Sequence, residues 1–451
     1  MSTHKQLREL GLFDARVPRY TSYPTAPQFT AQTNAQDVRQ WIGQIEPGSE
    51  ISLYLHIPFC RRLCWFCACR TQGTSTLSPV EAYVDTLANE VRMVAEMLPS
   101  GVTLSQLHWG GGTPTLLSPE LIDKLAGTIL TRLPMANDGQ FSVEIDPSEV
   151  DDARLDAFVS AGMNRASIGV QDFDPQIQAI IGREQSYAVT ASVAEALRAR
   201  GISSINMDML YGLPNQTRTG IAESVQKLMS IGPDRVALYG YAHVPWMAKR
   251  QSLIPTDTLP TPEERLALYE TARDLFIWDG YLEVGIDHFA RPDDGLALAA
   301  QAGTMHRNFQ GYTEDKSGVL IGLGASAISR YPQGYAQNNP STSGYQQSVR
   351  SGELSTSRGH SFSGEDLIRG RIIEELMCQF SADIVALARE THCDAGPMRQ
   401  IARQVAKTFE GFVRFDGTSL HILPEGRPLT RVIARGFDAY EQAAARHSQA
   451  I

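Results

Sequence analysis

Stretches typical of β-strands alternate with stretches typical of amphipathic helices, and this alternation is the feature that most restricts the fold of the chain. The predicted strands are Ser52–Pro58, Leu104–Trp109, Phe141–Asp146, Ala166–Gln171, Ser204–Leu210, Arg235–Tyr241 and Tyr281–Asp287. The predicted helices are Val80–Leu98, Pro119–Leu133, Asp152–Ala161, Ala188–Arg200, Gly220–Ser230 and Pro262–Asp279. Repeated strand–helix units imply parallel strands. The sequence therefore predicts an α/β fold built on a full or partial TIM-like (β/α) barrel.

Every predicted strand ends in, or is directly followed by, polar or glycine-rich residues. These are His56, Gly110–Thr113, Glu144 and Asp146, Gln171 and Asp172, Asp208, His243, and Asp287 and His288. The carboxyl ends of barrel strands meet at one mouth, so we expect these groups to converge there. Any one of them could equally well be a simple strand cap, but seven such endings in a row favour a site.

Two segments flank the predicted barrel, which covers residues 51–330. Residues 1–50 contain the proline- and hydroxyl-rich stretch Pro18–Thr25 and predict an extended N-terminal arm. Residues 331–451 begin with the polar, turn-rich stretch Gln333–Gly359 and continue with helical patterns and a hairpin that turns at Asp416-Gly417. This order predicts a mainly helical, winged-helix-like C-terminal domain, for which a packing or lid role is favoured over nucleic-acid binding.

Composition narrows the functional class. The chain has 451 residues, 42% of them hydrophobic, and a formal net charge of −10, which argues against a surface for nucleic acid or anionic membranes. It has no apolar run of membrane-spanning length and no apolar leader at its start. We therefore expect a cytoplasmic protein that binds neither nucleic acid nor membrane and acts as a monomer.

Four of the six cysteines fall within ten residues: Cys60, Cys64, Cys67 and Cys69. A disulfide framework spreads its cysteines along the chain, so this crowding favours a metal centre. Zinc takes four thiolates, but structural zinc sites usually split their ligands into two separated pairs. An iron–sulfur cluster is the better interpretation, because one loop can supply several of its corners.

The spacing Cys60-x₃-Cys64-x₂-Cys67 resembles that of the radical S-adenosylmethionine superfamily. The resemblance implies a barrel of the radical S-adenosylmethionine type, in which these three thiolates hold a 4Fe–4S cluster. One iron remains open to S-adenosylmethionine, which is cleaved to a 5′-deoxyadenosyl radical. The loop Trp109–Pro114 is similar to the glycine-rich loop with which the superfamily binds the methionine moiety.

Longer motifs resemble the family of oxygen-independent coproporphyrinogen III oxidases. They are Arg19–Pro24, Ser52–Cys60, His108–Pro114, Gly169–Phe173, Asp208–Pro214, Tyr241–His243, Asp287–Pro292 and His306–Tyr312. The resemblance implies oxidative decarboxylation of two propionates of coproporphyrinogen III to vinyls, giving protoporphyrinogen IX in haem biosynthesis. It also implies an electron donor such as a flavodoxin or ferredoxin.

The resemblance implies two bound S-adenosylmethionine molecules, with Tyr54 and Glu144 as catalytic residues. Contacts to the cluster-bound molecule are expected from Tyr54, Gly111, Glu144 and Ile328. Contacts to the second are expected from Phe66, Gly112, Thr113, Gln171, Arg183, Asp208 and Ala242. Ala68 stands in this second site where the family commonly has glycine, and Cys69 is a family marker without a cluster-ligand role. Because the substrate is a tetra-anion, Arg19, Arg291 and Arg307 are candidates for binding it.

Two alternatives remain open at this point. A haem-chaperone relative shares the cluster motif but lacks Cys69, the arm motif Arg19–Tyr23 and the motif His306–Tyr312. A nucleic-acid-binding winged helix would need a basic stripe. Its only hint is Arg427, Arg431 and Arg435, which are interpreted as a solvated helix face.

Overall fold

The computed structural model describes residues 3–440. The helices in this range are α1 (Thr3–Glu9), α2 (Ala35–Gly43), α3 (Ser78–Met97), α4 (Pro119–Leu130), α5 (Asp152–Ser160), α6 (Pro175–Ile181), α7 (Tyr187–Ala199), α8 (Arg218–Ile231), α9 (Pro262–Trp278), α10 (Gly295–Gln301), α11 (Thr342–Arg350), α12 (Asp366–Gln379), α13 (Ile384–Glu390), α14 (Ala395–Thr408) and α15 (Thr430–Ala434). None of them is both long and apolar enough to cross a membrane.

The strands are β1 (Glu50–Ile57), β2 (Phe59–Cys60), β3 (Gln72–Gly73), β4 (Thr103–Gly111), β5 (Met135–Ile145), β6 (Arg165–Gln171), β7 (Ser204–Tyr211), β8 (Arg235–Gly240), β9 (Leu282–Val284), β10 (His288–Ala290), β11 (His306–Asn308), β12 (Gly311–Thr313), β13 (Leu320–Leu323), β14 (Ile328–Tyr331), β15 (Gly334–Asn338), β16 (Thr356–Ser361), β17 (Ser381–Asp383), β18 (Val413–Phe415) and β19 (Ser419–Ile422). Twelve of them form one sheet in the order β16-β15-β14-β13-β1-β4-β5-β6-β7-β8-β10-β9.

The central strands β13, β1, β4, β5, β6, β7 and β8 are parallel, and helices return the chain between β1 and β8. The sheet ends at β16 on one side and at β9 on the other, so the barrel is partial. This confirms the predicted fold class. Along β1, apolar Leu53 and Leu55 are buried in the main core, while the intervening Tyr54 and His56 reach polar partners. That alternation follows from the two-residue repeat of a strand.

The prediction of a single strand over Tyr281–Asp287 is wrong. The chain forms the antiparallel pair β9 and β10 there, turning at Gly285, which has a φ of +58°. A side chain at Gly285 would also collide with the ring of Tyr312, because an added Cβ would lie 2.1 Å from its Cζ. The seventh parallel strand is β13, which pairs with β1 and was not predicted. Its four-residue apolar run is too short to be distinguished from core helix by pattern.

The main sheet continues beyond residue 330. Strands β14, β15 and β16 form an antiparallel extension, and α11 connects the last two. The predicted domain boundary at 330/331 therefore falls inside β14, and the stretch predicted as polar turns is largely regular structure. Edge strands such as β16 pair through backbone groups, so their side chains need not show an apolar pattern.

The C-terminal unit contains α12, α13 and α14 followed by the hairpin of β18 and β19, as the helical and hairpin patterns predict. The hairpin turns at Gly417, whose φ of +99° suits glycine, and the Asp416 side chain accepts from two amides of the turn. Strand β17 pairs with β19 and was missed. The predicted domain extends to residue 451, but residues 441–451 lie outside the described range.

The N-terminal segment is only partly extended, because α1 and α2 flank the extended stretch. Asn34 begins α2 with a capping box that also uses Asp37. The stretch between the helices reaches the C-terminal unit: the Tyr20 hydroxyl donates to Asp438 at 3.0 Å, and the Ala439 amide donates to the Tyr23 hydroxyl. The N-terminal arm therefore contacts the last described residues of the C-terminal unit.

Candidate active site

The cysteine run forms a loop that follows β1 at the carboxyl end of the parallel strands. Its thiols are free. Hydrogen bonds to its backbone hold it in place: the Trp65 amide donates to Ile181 O at 2.9 Å, Gln251 Nε2 donates to Phe66 O at 2.7 Å, and Arg250 donates to Cys69 O at 3.1 Å. The loop is therefore anchored from α6 and from the segment after β8.

The thiols of this loop fit an iron–sulfur cluster. Among residues 5–440, no three His, Cys, Asp or Glu side chains are placed to hold a single metal ion. Cys64 and Cys67 both lie close enough to Cys60 to act on its pKa, and thiolates are the ligands that hold iron–sulfur clusters. The Arg183 guanidinium lies 3.6 Å from Cys64 Sγ, where its positive charge favours thiolate. Burial raises the pKa of Cys60 to about 11, whereas hydrogen bonding with Cys69 lowers the pKa of Cys67.

The glycines at the end of β4 allow it to pack against the end of β1. A Cβ at Gly111 would lie 2.5 Å from the His56 ring, and one at Gly112 would lie 2.5 Å from Phe59 O. The Gly112 amide donates to Ile57 O at 2.8 Å. The resemblance to the superfamily implies that this glycine-rich loop binds the methionine moiety. The structure shows that the protein itself already requires these glycines, and that their packing places Thr113 beside Cys60.

Tyr54 and Glu144, the predicted catalytic pair, lie in one network at this end of the sheet. The Tyr54 hydroxyl lies 2.9 Å from His56 Nδ1, and its ring stacks on that of His108 at 5.7 Å. His108 Nε2 lies 3.2 Å from Glu144 Oε1, while the Gly111 amide donates to Oε2 at 2.9 Å. Burial acts to raise the pKa of Glu144, but these two hydrogen bonds, together with the electrostatic effect of His108 and His56, outweigh it and lower the pKa below its ordinary value. Glu144 is therefore a carboxylate at neutral pH.

His56 and His108 also belong to this network, and the sequence predicts no specific role for either of them. His56 Nε2 lies 3.1 Å from Arg70 O and must carry a proton to donate there. Its Nδ1 is then left to accept from the Tyr54 hydroxyl. The signal available in the sequence was the alternation of these polar residues along two adjacent strands.

Three residues predicted for the second S-adenosylmethionine lie beyond Glu144, on and after β6 and β7. Arg183 Nη2 donates to Gly169 O at 3.0 Å, Nη1 lies 3.4 Å from Asp146 Oδ2, and its buried Nε has no hydrogen-bond partner within the protein. Burial and the nearby Glu144 raise the pKa of Asp208 to about 6. Gln171 ends β6 in the left-handed region, with a φ of +71°, a strained conformation of the kind that clusters at functional sites.

The remaining predicted residues are more dispersed. Gln251 Nε2 contacts both Phe66 O and Ala242 O, so these two predicted residues share one partner. Ala68 is exposed on the cysteine loop. Ile328 lies on β14, where its backbone packs against Gly322 of β13, the strand beside Tyr54.

A cavity of about 870 Å³ opens between the arm, the ends of β7 and β8, and the C-terminal unit. Its lining is rich in arginines, and Arg19 and Arg307 are among them. Arg307 is only 7% exposed, packs over the Tyr312 ring at 4.3 Å, and leaves its Nε and Nη1 without hydrogen-bond partners in the protein. A buried guanidinium with unused donors is a seat for a carboxylate.

Two expectations about arginines are wrong. Arg291 donates its amide to Asp234 O and its Nε to Pro233 O, just before β8 begins. It therefore lies at the amino end of the parallel strands, opposite the cavity. Arg427 and Arg431 are no solvated stripe, because both line the cavity. Arg431 donates to Pro18 O at 3.1 Å, so it ties the arm across the C-terminal unit.

Comparison with known proteins decides the family. The model of the radical SAM superfamily matches residues 54–228. An oxygen-independent coproporphyrinogen III oxidase of Paracoccus denitrificans is 59% identical over 451 residues, covering 100% of both chains. One from Cereibacter sphaeroides is 55% identical and covers 98% of each chain. The chain belongs to the oxygen-independent coproporphyrinogen III oxidase family. A solved structure of coproporphyrinogen III oxidase from Escherichia coli, described as a radical SAM enzyme, agrees with a TM-score of 0.90 at 34% identity, covering 95% of this chain and 100% of that one.

Membership of this radical SAM family implies a 4Fe–4S cluster and S-adenosylmethionine as cofactors. The zinc alternative is thereby excluded. The haem-chaperone alternative loses its basis too, because relatives named as oxidases match over the whole chain.

Proposed function

We propose that the protein converts coproporphyrinogen III to protoporphyrinogen IX without oxygen, as the step of haem biosynthesis that turns two propionates into vinyls. Each propionate loses one hydrogen atom from its β-carbon, one electron and its carboxyl carbon as carbon dioxide. The observation that carries the proposal is the arginine-lined cavity at the carboxyl ends of β7 and β8. Its volume of about 870 Å³ suits a large ligand, and its guanidinium groups suit the carboxylates of a tetra-anion.

Cys60, Cys64 and Cys67 would hold the cluster, with Arg183 close to the Cys64 thiolate. When bound, the cluster and S-adenosylmethionine supply a 5′-deoxyadenosyl radical, which removes hydrogen from an unactivated carbon. The ionised Glu144, fixed by His108 and the Gly111 amide, is suited to accept from an amine or from ribose hydroxyls. Tyr54 is oriented by His56 beside it.

A second S-adenosylmethionine would bind beside the first, one molecule being used for each propionate. Support comes from Arg183, which pairs with Asp146, and from Asp208, which lies near Glu144 but outside its hydrogen-bond network. The Arg183 Nε has no hydrogen-bond partner in the protein and could serve a carboxylate. The exposed Ala68 would narrow the same region by one methyl group relative to glycine.

The proposal has three further parts. An electron donor such as a flavodoxin or ferredoxin reduces the cluster. The protein acts as a monomer, because one chain forms both the cysteine loop and the cavity. It works in the cytoplasm, where the free thiols of the loop stay reduced.

Reconstitution without oxygen tests the function. The purified protein is loaded with iron and sulfide, then given S-adenosylmethionine, dithionite and coproporphyrinogen III. We expect protoporphyrinogen IX, with two molecules of 5′-deoxyadenosine formed per porphyrinogen. Formation of 5′-deoxyadenosine without any vinyl product would refute the oxidase proposal while leaving the family chemistry intact.

Cysteine variants test the cluster assignment in the same preparation. C60A, C64A and C67A should each fail to retain a four-iron cluster and should form no 5′-deoxyadenosine. C393A is the matched control, since Cys393 lies in the C-terminal unit between α13 and α14. It should keep both the iron content and the activity of the unchanged protein.

A further inference from the structure

Positively charged side chains surround the cysteine loop. We define the loop surface as Arg61, Arg62, Arg70, Lys249 and Arg250, of which all but the half-buried Arg250 are exposed. The whole chain carries a formal net charge of −10, so this local excess of cations runs against the average.

Two acidic residues adjoin the loop surface and reduce its charge only in part. Glu149 lies 3.8 Å from Arg61 Nε, and the backbone carbonyl of Glu184 accepts from Arg62 at 3.1 Å. Burial lowers the pKa of the Arg358 guanidinium, and the nearby positive charge of Arg70 lowers it further. Five cations beside two carboxylates leave a positive field that attracts an acidic partner.

The loop surface lies next to the cysteines that are proposed as cluster ligands. Arg250 donates to Cys69 O at 3.1 Å and to Thr71 Oγ1 at 2.9 Å. In the same segment, Met247 is 60% exposed and Leu253 is 58% exposed. Apolar side chains beside a charged rim are the usual anatomy of a protein–protein contact.

We propose that the loop surface docks a small acidic one-electron carrier protein that reduces the cluster. This inference rests on the proposed function, which requires an electron from outside the protein. In each encounter the carrier is oxidised by one electron and the cluster is reduced by one. Electron-transfer complexes have small interfaces, and complementary charge steers their association. A cationic surface on the cysteine loop meets both requirements.

The test compares two reductants on the same variant. R62E/K249E reverses two charges of the loop surface without touching a cysteine, Arg183 or the Tyr54–Glu144 network. R132E is the matched control, because Arg132 is exposed and lies between α4 and β5 at the opposite end of the barrel. Formation of 5′-deoxyadenosine is measured at low ionic strength with a reduced bacterial flavodoxin, and separately with dithionite.

We expect R62E/K249E to raise the KM for flavodoxin about ten-fold, while R132E and the unchanged protein agree. Dithionite-driven rates and iron content should be equal in all three proteins. An unchanged KM in R62E/K249E would overturn the proposal. If the dithionite rate also falls, the salt dependence of the unchanged protein decides: its KM for flavodoxin must rise with ionic strength, and a salt-independent KM would overturn the docking surface. Dithionite-driven decarboxylation reports the proposed function separately.

Discussion

At the scale of single residues, the arginines show how far a motif alone can mislead. Arg291 and Arg307 both lie in motifs shared with the family, but the structure places them at opposite ends of the strands. Arg291 packs over the Tyr281 ring at 5.2 Å and bonds to the backbone before β8. Arg307 lines the cavity; its buried Nε and Nη1 make no hydrogen bond within the protein, and Nη1 lies 4.0 Å from Asp287 Oδ1. Of the two arginines, only Arg307 is placed to meet a substrate carboxylate in the cavity.

Replacing Arg307 should therefore weaken substrate use. We expect R307Q to lower kcat/KM for coproporphyrinogen III roughly thirty-fold, because losing one partner of a buried charge pair costs about 2 kcal/mol or more. R307K should fall between R307Q and the unchanged protein. R291Q is the matched control and should keep full activity. Equal values for R307Q and R291Q in anaerobic steady-state assays would contradict the carboxylate seat, provided that both variants retain their iron.

At the scale of elements, one buried acid joins the first barrel helix to the extension of the sheet. Glu90 of α3 is 1% exposed and accepts from the Gly324 amide after β13, from Asn338 of β15 and from the Tyr345 hydroxyl of α11. Burial raises its pKa to about 7 even though these three hydrogen bonds act to lower it. The neutral acid is thus favoured in the folded protein.

This gives a pH dependence of stability with a defined sign. A carboxyl whose folded pKa is raised binds more protons folded than unfolded, so stability falls as pH rises between the two pKa values. As the pH rises from 4.5, the ordinary pKa, to about 7, Glu90 should lower the free energy of unfolding by about 3 kcal/mol. E90Q stays neutral at every pH. Across that pH range, the free energy of unfolding of E90Q should therefore rise by about this amount relative to that of the unchanged protein. The measurement is urea unfolding at several pH values. E81Q, at an exposed position of α3, should run parallel to the unchanged protein, and a parallel E90Q curve would refute the assignment.

At the scale of the whole molecule, three parts of the chain enclose the cavity. The barrel supplies the ends of β7 and β8, the C-terminal unit supplies Arg427 and Arg431, and the arm supplies Arg19. Arg19 donates to Gly240 O at 2.8 Å, while Arg431 donates to the carbonyls of Val17 and Pro18. The arm is therefore held on both sides of the cavity by arginines that also line it.

Removing the Arg431 guanidinium should loosen the arm. We expect R431M to be cleaved by trypsin within residues 14–25 at least several times faster than the unchanged protein, since the segment loses the bonds that fix its backbone. The KM for the porphyrinogen should rise as well. R435M provides the comparison, because Arg435 is exposed and lies on the next helical turn. Equal cleavage of the two variants on a gel time course would show that Arg431 does not hold the arm.

What the sequence determined is mostly local. The cysteine spacing, the glycines after β4 and the strand–helix period each depend on residues a few positions apart, and six of the seven predicted strands are present in parallel register. The placement of the cysteine loop and of the Tyr54–Glu144 network follows from the same rule, since side chains at the carboxyl ends of parallel strands must meet.

What only the tertiary structure decided depends on distant contacts. Strand β13 is recognisable only by its pairing with β1, and β16 by its backbone bonds to β15. Likewise, Arg431 was interpreted as solvated because its partners, the carbonyls of the arm, lie more than four hundred positions earlier. Periodicity reports which face of an element is buried, but it carries no information about which remote segment covers that face. The cavity is formed by such coverings, so its cations could be placed only once the chain was folded.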